Sequence, residues 1–224
     1  MVHASMRAVG CNSNDFVRAL LDVADTVLAY VDWEMPSEDA PFDPHTAPAA
    51  KSHGVLAETI RAWPGAVRSA HPDAGFSAVD GTAEGGTSRA RAAWLVADQP
   101  FDYGYGERSP LGKLVEAGGK VLVLGAPLDT ITLLHFSEHA AAISGKRIVH
   151  YKRLMLGGWT SFEEFDTCDP PHPSLPDDYF ARVAEGFLAT GAGAKGTVGG
   201  ATSYLFDARA LHAFGVAWLE RTLA

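Results

Sequence analysis

With 224 residues and 47% hydrophobic content, the chain can bury one sizeable core, and a single domain over 1–224 is the simplest organisation. Eighteen basic residues stand against 27 acidic ones, and the resulting charge of −9 disfavours nucleic acid or an anionic membrane as partner while suiting a cationic ligand. No apolar run approaches the ~18 residues that span a bilayer, and no basic-then-apolar leader opens the sequence, so a cytoplasmic protein is expected.

In chain order, residues 15–23 (DFVRALLDV) place apolar side chains at helical spacing, with Asn14 or Ser13 as the cap. TVLAY at 26–30 reads as a buried strand and leads into the acidic loop VDWEMPSEDAPFDP. A helix is expected over 52–63, stopped by Pro64, and a short strand over 76–79. Ser109-Pro110 supplies a cap and a first-position proline for a helix that runs to Gly118-Gly119. KVLVL at 120–124 is the clearest buried strand. A strand over 162–165 and helices over 179–188 and 210–223 complete the alternation of an α/β fold. Cys11 and Cys168 form no C-x-x-C pattern and are expected as unpaired thiols.

The loop GAPLDT after KVLVL leads into the next helix, and ligands of open α/β sheets gather at such strand ends. It lacks the glycines of a dinucleotide fingerprint, and no P-loop occurs anywhere. The helix itself carries His135, Glu138 and His139, an H-x-x-E-H spelling found in one class of zinc peptidases. At ~100° per residue, the two histidines lie ~40° apart and Glu138 lies ~60° to the other side of His135, so all three share a face. The residues alone leave three readings open: a zinc site, a buried polar cluster, or acid–base chemistry without metal.

The runs VHASMRAVG, PFDP, RSAHPDA, DYGYGERSPLGKLVEAGGKVLVLGAPLDTITLLHFSEHAA, GKRI, EEFDT and FGVAWLE resemble, in this order, the aminoglycoside 3-N-acetyltransferases. The resemblance covers nearly the whole chain and is closest to the branch acting on gentamicin-, neomycin- and kanamycin-like drugs. It implies a single α/β domain with a central mixed sheet flanked by helices, distinct from the common N-acetyltransferase superfamily. It also implies acetyl-CoA as donor, a 2-deoxystreptamine aminoglycoside as acceptor of an acetyl group on its 3-amine, antibiotic resistance as outcome, and no metal. A monomer or homodimer is expected.

Acetyl transfer to an amine requires a neutral nitrogen lone pair, whereas aminoglycoside amines are largely protonated at neutral pH. An imidazole with an ordinary pKa of ~6.5, raised by a carboxylate, suits the task of taking that proton. By resemblance this base is His135. If 162–165 is a strand, Glu164 and Asp166 of EEFDT share a face and Glu163 points away. Glu164, matched by a glutamate in the family, is expected to orient His135, and Asp166 to meet an amine of the drug.

For the donor, VHASMRA resembles the family's strand-to-helix corner, where Ala4, Ser5 and Met6 would offer N–H groups and a hydroxyl to phosphate. Arg68, Ser69 and Thr130 are further candidates, while His71-Pro72 reads as loop-shaping. For the acceptor, Asp32, Glu34, Asp43, Asp102, Glu107 and Asp129 fall in loops with Tyr30, Trp33 and Tyr103 interleaved, a pattern suited to several ammonium groups on sugar rings. The sequence lacks the N-terminal helix that the family pattern leads with, and its acidic loop and the turn at 156–158 are short. Either the chain is a compact variant or it is a piece of a longer one. Two alternatives stand beside the enzyme: a non-catalytic aminoglycoside-binding relative, and a zinc peptidase using H-x-x-E-H.

Overall fold

The computed structural model describes residues 1–81, 89–167, 170 and 172–223. A mixed four-stranded sheet has the order β1-β5-β9-β8, built from β1 (Val2–Ala4), β5 (Lys120–Leu124), β9 (Ala201–Asp207) and β8 (Ala194–Val198). β1 runs parallel to β5, while β9 is antiparallel to both of its neighbours. A second, antiparallel sheet has the order β2-β4-β3, from β2 (Thr26–Tyr30), β4 (Phe76–Asp80) and β3 (Val67–Arg68). β6 (Ile148–Met155) and β7 (Gly158–Phe165) form a separate hairpin.

Helices flank these sheets, as an α/β fold requires. α1 (Met6–Val9), α2 (Ser13–Val23) and α3 (Gly54–Arg61) enclose one core with Val17, Leu21, Val27, Leu56 and Ile60. α4 (Arg89–Val96), α5 (Pro110–Glu116), α6 (Leu133–Ala140), α7 (Tyr179–Ala189) and α8 (Ala208–Thr222) build the larger core around Phe76, Leu111, Val121, Val123 and Phe206. Val121 and Val123 of β5 are wholly buried, the expected state of a strand covered on its apolar faces. Among the described residues, no helix is long and apolar enough to cross a membrane.

Local chemistry explains most boundaries. The cap of α2 is Asn12, whose side chain accepts the Asn14 N–H, just ahead of the Ser13 or Asn14 that the sequence pattern suggests. α5 starts as expected: Ser109 accepts the N–H groups of Leu111 and Gly112, and Pro110 opens the helix. The helix predicted over 52–63 is shorter, a 3-10 turn at Lys51–His53 followed by Gly54–Arg61. α6 crosses α8 at Gly215, where a Cβ would lie 2.9 Å from Ser137 Oγ and 3.1 Å from Leu134 Cδ2. This close crossing fixes the rotation of α6, and therefore where its histidines point. Cys11 is a free, exposed thiol, and Cys168 lies outside the described residues.

Three histidines are held neutral by burial. His3 is lowered to about 3, and His71 and His212 are also lowered from 6.5, in each case with desolvation as the largest cause. Because these folded-state values lie below the unfolded one, the stability they contribute is complete above about pH 6.5 and is lost as pH falls, up to ~1.4 kcal/mol per pH unit for the buried His3 and His71 and less for His212, which solvent screens. Asp73, raised by desolvation, works in the opposite direction, but only near and above its ordinary value of 3.8. We expect the urea midpoint to fall between about pH 7 and about pH 5, and His71→Asn to flatten the slope. A midpoint that is level across this window would contradict the neutral-histidine account.

Candidate active site

The GAPLDT loop closes with a 3-10 turn at Leu128–Thr130 and delivers the chain into α6. On α6 the spacing of three residues sets His135 beside Glu138, with Nδ1 2.6 Å from Oε2. The carboxylate accepts, so Nδ1 carries the proton and Nε2 is the basic nitrogen. Glu138 is buried, and its Oε1 has no hydrogen-bond partner among the described residues.

Glu164 does not reach His135 as expected. Its Oε1 lies 2.8 Å from His139 Nε2, with both side chains buried, and also accepts the Phe165 N–H. The approach is oblique to the imidazole N–H, so the contact is a close carboxylate–imidazole approach and not an aligned hydrogen bond. The reason is the helical step: one turn separates the histidines, and β7 runs past the second. The strand alternation itself holds, since Glu164 is buried while Glu163 is less so and takes the Tyr103 hydroxyl. H-x-x-E-H thus resolves into two separate histidine–carboxylate pairs. Among the described residues, no group of three or more His, Cys, Asp or Glu is arranged to hold a metal ion.

A chain of rings ties His135 to the acidic loop. Tyr105 packs on His135 with centroids 5.0 Å apart, and its hydroxyl lies 2.8 Å from that of Tyr30. Tyr30 donates to the Asp73 carbonyl and packs at 4.7 Å on His53, which lies 3.6 Å from Asp32. Burial raises both tyrosines well above the ordinary phenol range, so they act as neutral hydrogen-bonding groups. Asp73 is gripped by Arg153 of β6 at 2.8 and 3.0 Å, which joins the hairpin to this wall. His71 shapes the same corner, accepting the Ala74 N–H on Nδ1 and donating from Nε2 to the Phe101 carbonyl.

His135 opens onto a cleft of about 400 Å³ lined by Asp129, Thr167, Pro170, Asp177, Tyr179 and Phe180. Asp129 also accepts the Ala181 N–H of α7, which pins the loop to that helix. A hollow of about 750 Å³, lined in part by Glu34, Lys51, Gly54 and Glu58, runs beside the acidic loop. By contrast, the hollow of about 500 Å³ between Leu20, Val23, Lys120 and Leu205 contains none of the expected site residues.

Several donor candidates are committed elsewhere. Ser5 spends its N–H on the Leu124 carbonyl, though its hydroxyl caps nothing; Ala4 pairs in β1, and the Met6 side chain is buried. Arg68 turns inward, donating to the carbonyls of Val31 and Ala47, so it is not poised for phosphate. Ser69 is buried and accepts the Phe76 N–H, and Thr130 donates to the Pro127 carbonyl.

The acceptor candidates divide into loop-builders and open groups. Asp43 shapes its own turn and is held below the usual carboxylate range, chiefly by the His45 N–H. Asp102 accepts the Glu163 N–H, and Tyr103, at a φ of 54°, donates its N–H to the Glu163 carbonyl and its hydroxyl to the Glu163 carboxylate. Asp166 pairs with Arg147, so its carboxylate is not a bare ammonium site. Trp33 is buried, Glu34 bonds Lys51, and Glu107 is exposed. Sequence reasoning missed Tyr105, Asp73, Arg153 and Asp177, and left Glu138 without a non-metal role. For Glu138 the signal was available, since a carboxylate three residues after a histidine on one helix faces it.

Residues 1–220 match the family pattern described as aminoglycoside 3-N-acetyltransferase. Aminoglycoside N(3)-acetyltransferase III of Pseudomonas aeruginosa is 40% identical over 247 aligned residues, covering 98% of this chain and 86% of that protein. The type VII enzyme of Streptomyces paromomycinus is 41% identical, over 87% of this chain and 69% of that one. Among solved structures, AAC-IIIb in its binary complex with CoASH superimposes with a TM-score of 0.92 at 46% identity, covering 100% of this chain and 90% of its own. AAC-VIa bound to sisomicin gives 0.88 at 37% identity, covering 100% and 91%. A buried carboxylate holding a histidine on an acidic cleft, in a fold shared along almost its full length with these enzymes, places the chain in the aminoglycoside 3-N-acetyltransferase family.

Proposed function

We propose that this protein acetylates the 3-amino group of 2-deoxystreptamine aminoglycosides from acetyl-CoA, with His135 as general base held by Glu138. The observation that carries this reading is the His135–Glu138 pair, whose ring opens onto a cleft bearing Asp129 and Asp177. Acetyl-CoA supplies an activated thioester carbonyl. The Ser5 hydroxyl caps nothing at the β1–α1 corner, and Gly54, where a Cβ would stand 3.9 Å from the Ala4 carbonyl, joins that corner to the neighbouring hollow. These two features suit the donor.

His135 Nε2 takes the proton that the attacking amine must lose as its nitrogen bonds to the acetyl carbon, and can return a proton to the departing sulfur. Glu138 stabilises the imidazolium formed in between and keeps the tautomer with Nε2 free. Asp129 and Asp177 attract the remaining ammonium groups of the drug, with Asp32 and Glu34 on the other side of the ring chain. A gentamicin-, neomycin- or kanamycin-like acceptor fits the resemblance, and AAC-VIa bound to sisomicin supports a drug of this class. Resistance follows because acetylation removes a positive charge. We further propose a single domain over residues 1–224, acting in the cytoplasm as a monomer or homodimer.

Purified protein should release CoA thiol only when acetyl-CoA and an aminoglycoside are both present, and chelator treatment should leave the rate unchanged. Drug affinity without thiol release would make the chain a binding relative instead. Loss of activity with loss of about one zinc per chain would restore the peptidase-type reading of H-x-x-E-H.

A further inference from the structure

The acidic loop has little core of its own. Trp33 and Phe42 pack with ring planes tilted by 56° and centroids 5.3 Å apart and, with Ala47, form a small cluster against Met155. Across the base of this loop lies Arg68 of β3. Its Nη2 donates to the Val31 carbonyl at 2.7 Å, its Nη1 donates to the Ala47 carbonyl, and its guanidinium sits 5.1 Å from the centre of the Phe42 ring. Nε is buried without a partner among the described residues, so the fork faces into the protein. Space for the junction comes from Gly75, where a Cβ would stand 3.0 Å from the Val31 carbonyl and 3.4 Å from Arg68 Nη2.

We propose that Arg68 is a positioning residue for aminoglycoside binding: one planar guanidinium staples the two ends of the loop at Val31 and Ala47, and thereby sets where Asp32 and Glu34 stand. This inference rests on the reading of the acidic loop as part of the acceptor site. Two carbonyls from segments sixteen positions apart in sequence converge on one fork, which adds a side-chain tie to the Trp33–Ala49 bridge and the Ala50 N–H to Asp32 carbonyl bond at the same junction and shares with them the entropy cost of closing the loop. A lysine at this place has a point charge on a flexible stem and cannot hold both carbonyls in one plane, so Arg68→Lys is not conservative here.

The test uses the full chain with kanamycin and acetyl-CoA, steady-state kinetics, and hydrogen exchange of peptides covering residues 31–50. Arg68→Lys should raise the KM for kanamycin ~10-fold while leaving that for acetyl-CoA within about twofold. Exchange should quicken in the loop peptides and stay unchanged in those from α6. An equal or larger rise in the acetyl-CoA KM, or unchanged loop exchange, would overturn the proposal. Asp32→Asn separates the two layers. If it raises the kanamycin KM and Arg68→Lys does not, the staple is wrong and the acceptor reading stands. If Arg68→Lys loosens the loop and neither variant moves the kanamycin KM, the acceptor reading of the loop fails and takes the proposal with it. Should Arg68→Lys not fold, Gly75→Ala disturbs the same junction from the opposite side, and the same split in KM is expected.

Discussion

Replacing His135 by alanine is expected to lower kcat at least ~100-fold, the scale of lost acid–base catalysis, with smaller changes in KM for either substrate. Glu138→Gln should come close to the same loss. Glutamine keeps the size of the side chain and can still touch Nδ1, but it provides no charge to stabilise the imidazolium. The 2.6 Å contact and the burial of Glu138 make that charge effective, because little solvent screens it. Far-ultraviolet circular dichroism and the urea midpoint should show both variants folded. A Glu138→Gln enzyme with near-normal kcat would mean that the pair is structural.

The second pair on α6 predicts a different outcome. His139→Ala removes the partner of a carboxylate in a place where the two side chains are only 7% and 5% exposed. An unpaired buried charge typically costs ~3–5 kcal/mol, so this variant should be among the least stable single substitutions in the protein. Adding Glu164→Gln in the same chain should restore much of the loss, because the residual buried group is then neutral. The urea midpoints of the single and the double variant decide the matter. A small effect of His139→Ala, below ~1 kcal/mol, would show that Glu164 is protonated or solvated instead of ion-paired.

Much of the scaffold is legible in the sequence where one physical signal dominates. TVLAY and KVLVL are short apolar runs bounded by breakers, and they form β2 and β5 at the expected residues. Ser109-Pro110 starts α5 because hydroxyl cap and fixed proline φ act on the same turn. β6, β8 and β9 carry weaker signals. β8, AKGTV, is exposed at every position, so no hydrophobic pattern marks it, and it exists by pairing with β9. IVHYKRLM pairs with β7 as a hairpin that lies outside the two main sheets, so its alternation is not that of a buried strand. Pairing of this kind is a tertiary decision.

The same division holds in the site. Placement of His135 and Glu138 on one helical face follows from spacing alone. Which histidine Glu164 meets depends instead on how β7 passes α6, and a one-turn difference moved the contact from His135 to His139. Asp73 and Arg153 stand far apart in sequence and meet only because the hairpin folds back. Arg68 looked like a phosphate ligand because an arginine beside a serine in a loop has that chemistry, yet the two carbonyls that claim it belong to other segments.

The most direct test of the account is a double-mutant cycle on kcat for His135→Ala and Glu138→Gln, run beside the corresponding cycle for His135→Ala and Glu164→Gln. If Glu138 acts through His135, the first double variant should be scarcely slower than either single one, and the two losses should not multiply. The second cycle should show far weaker coupling, because Glu164 belongs to the His139 pair. Multiplying losses in the first cycle, together with strong coupling in the second, would contradict the assignment of Glu138 as the carboxylate that serves the base.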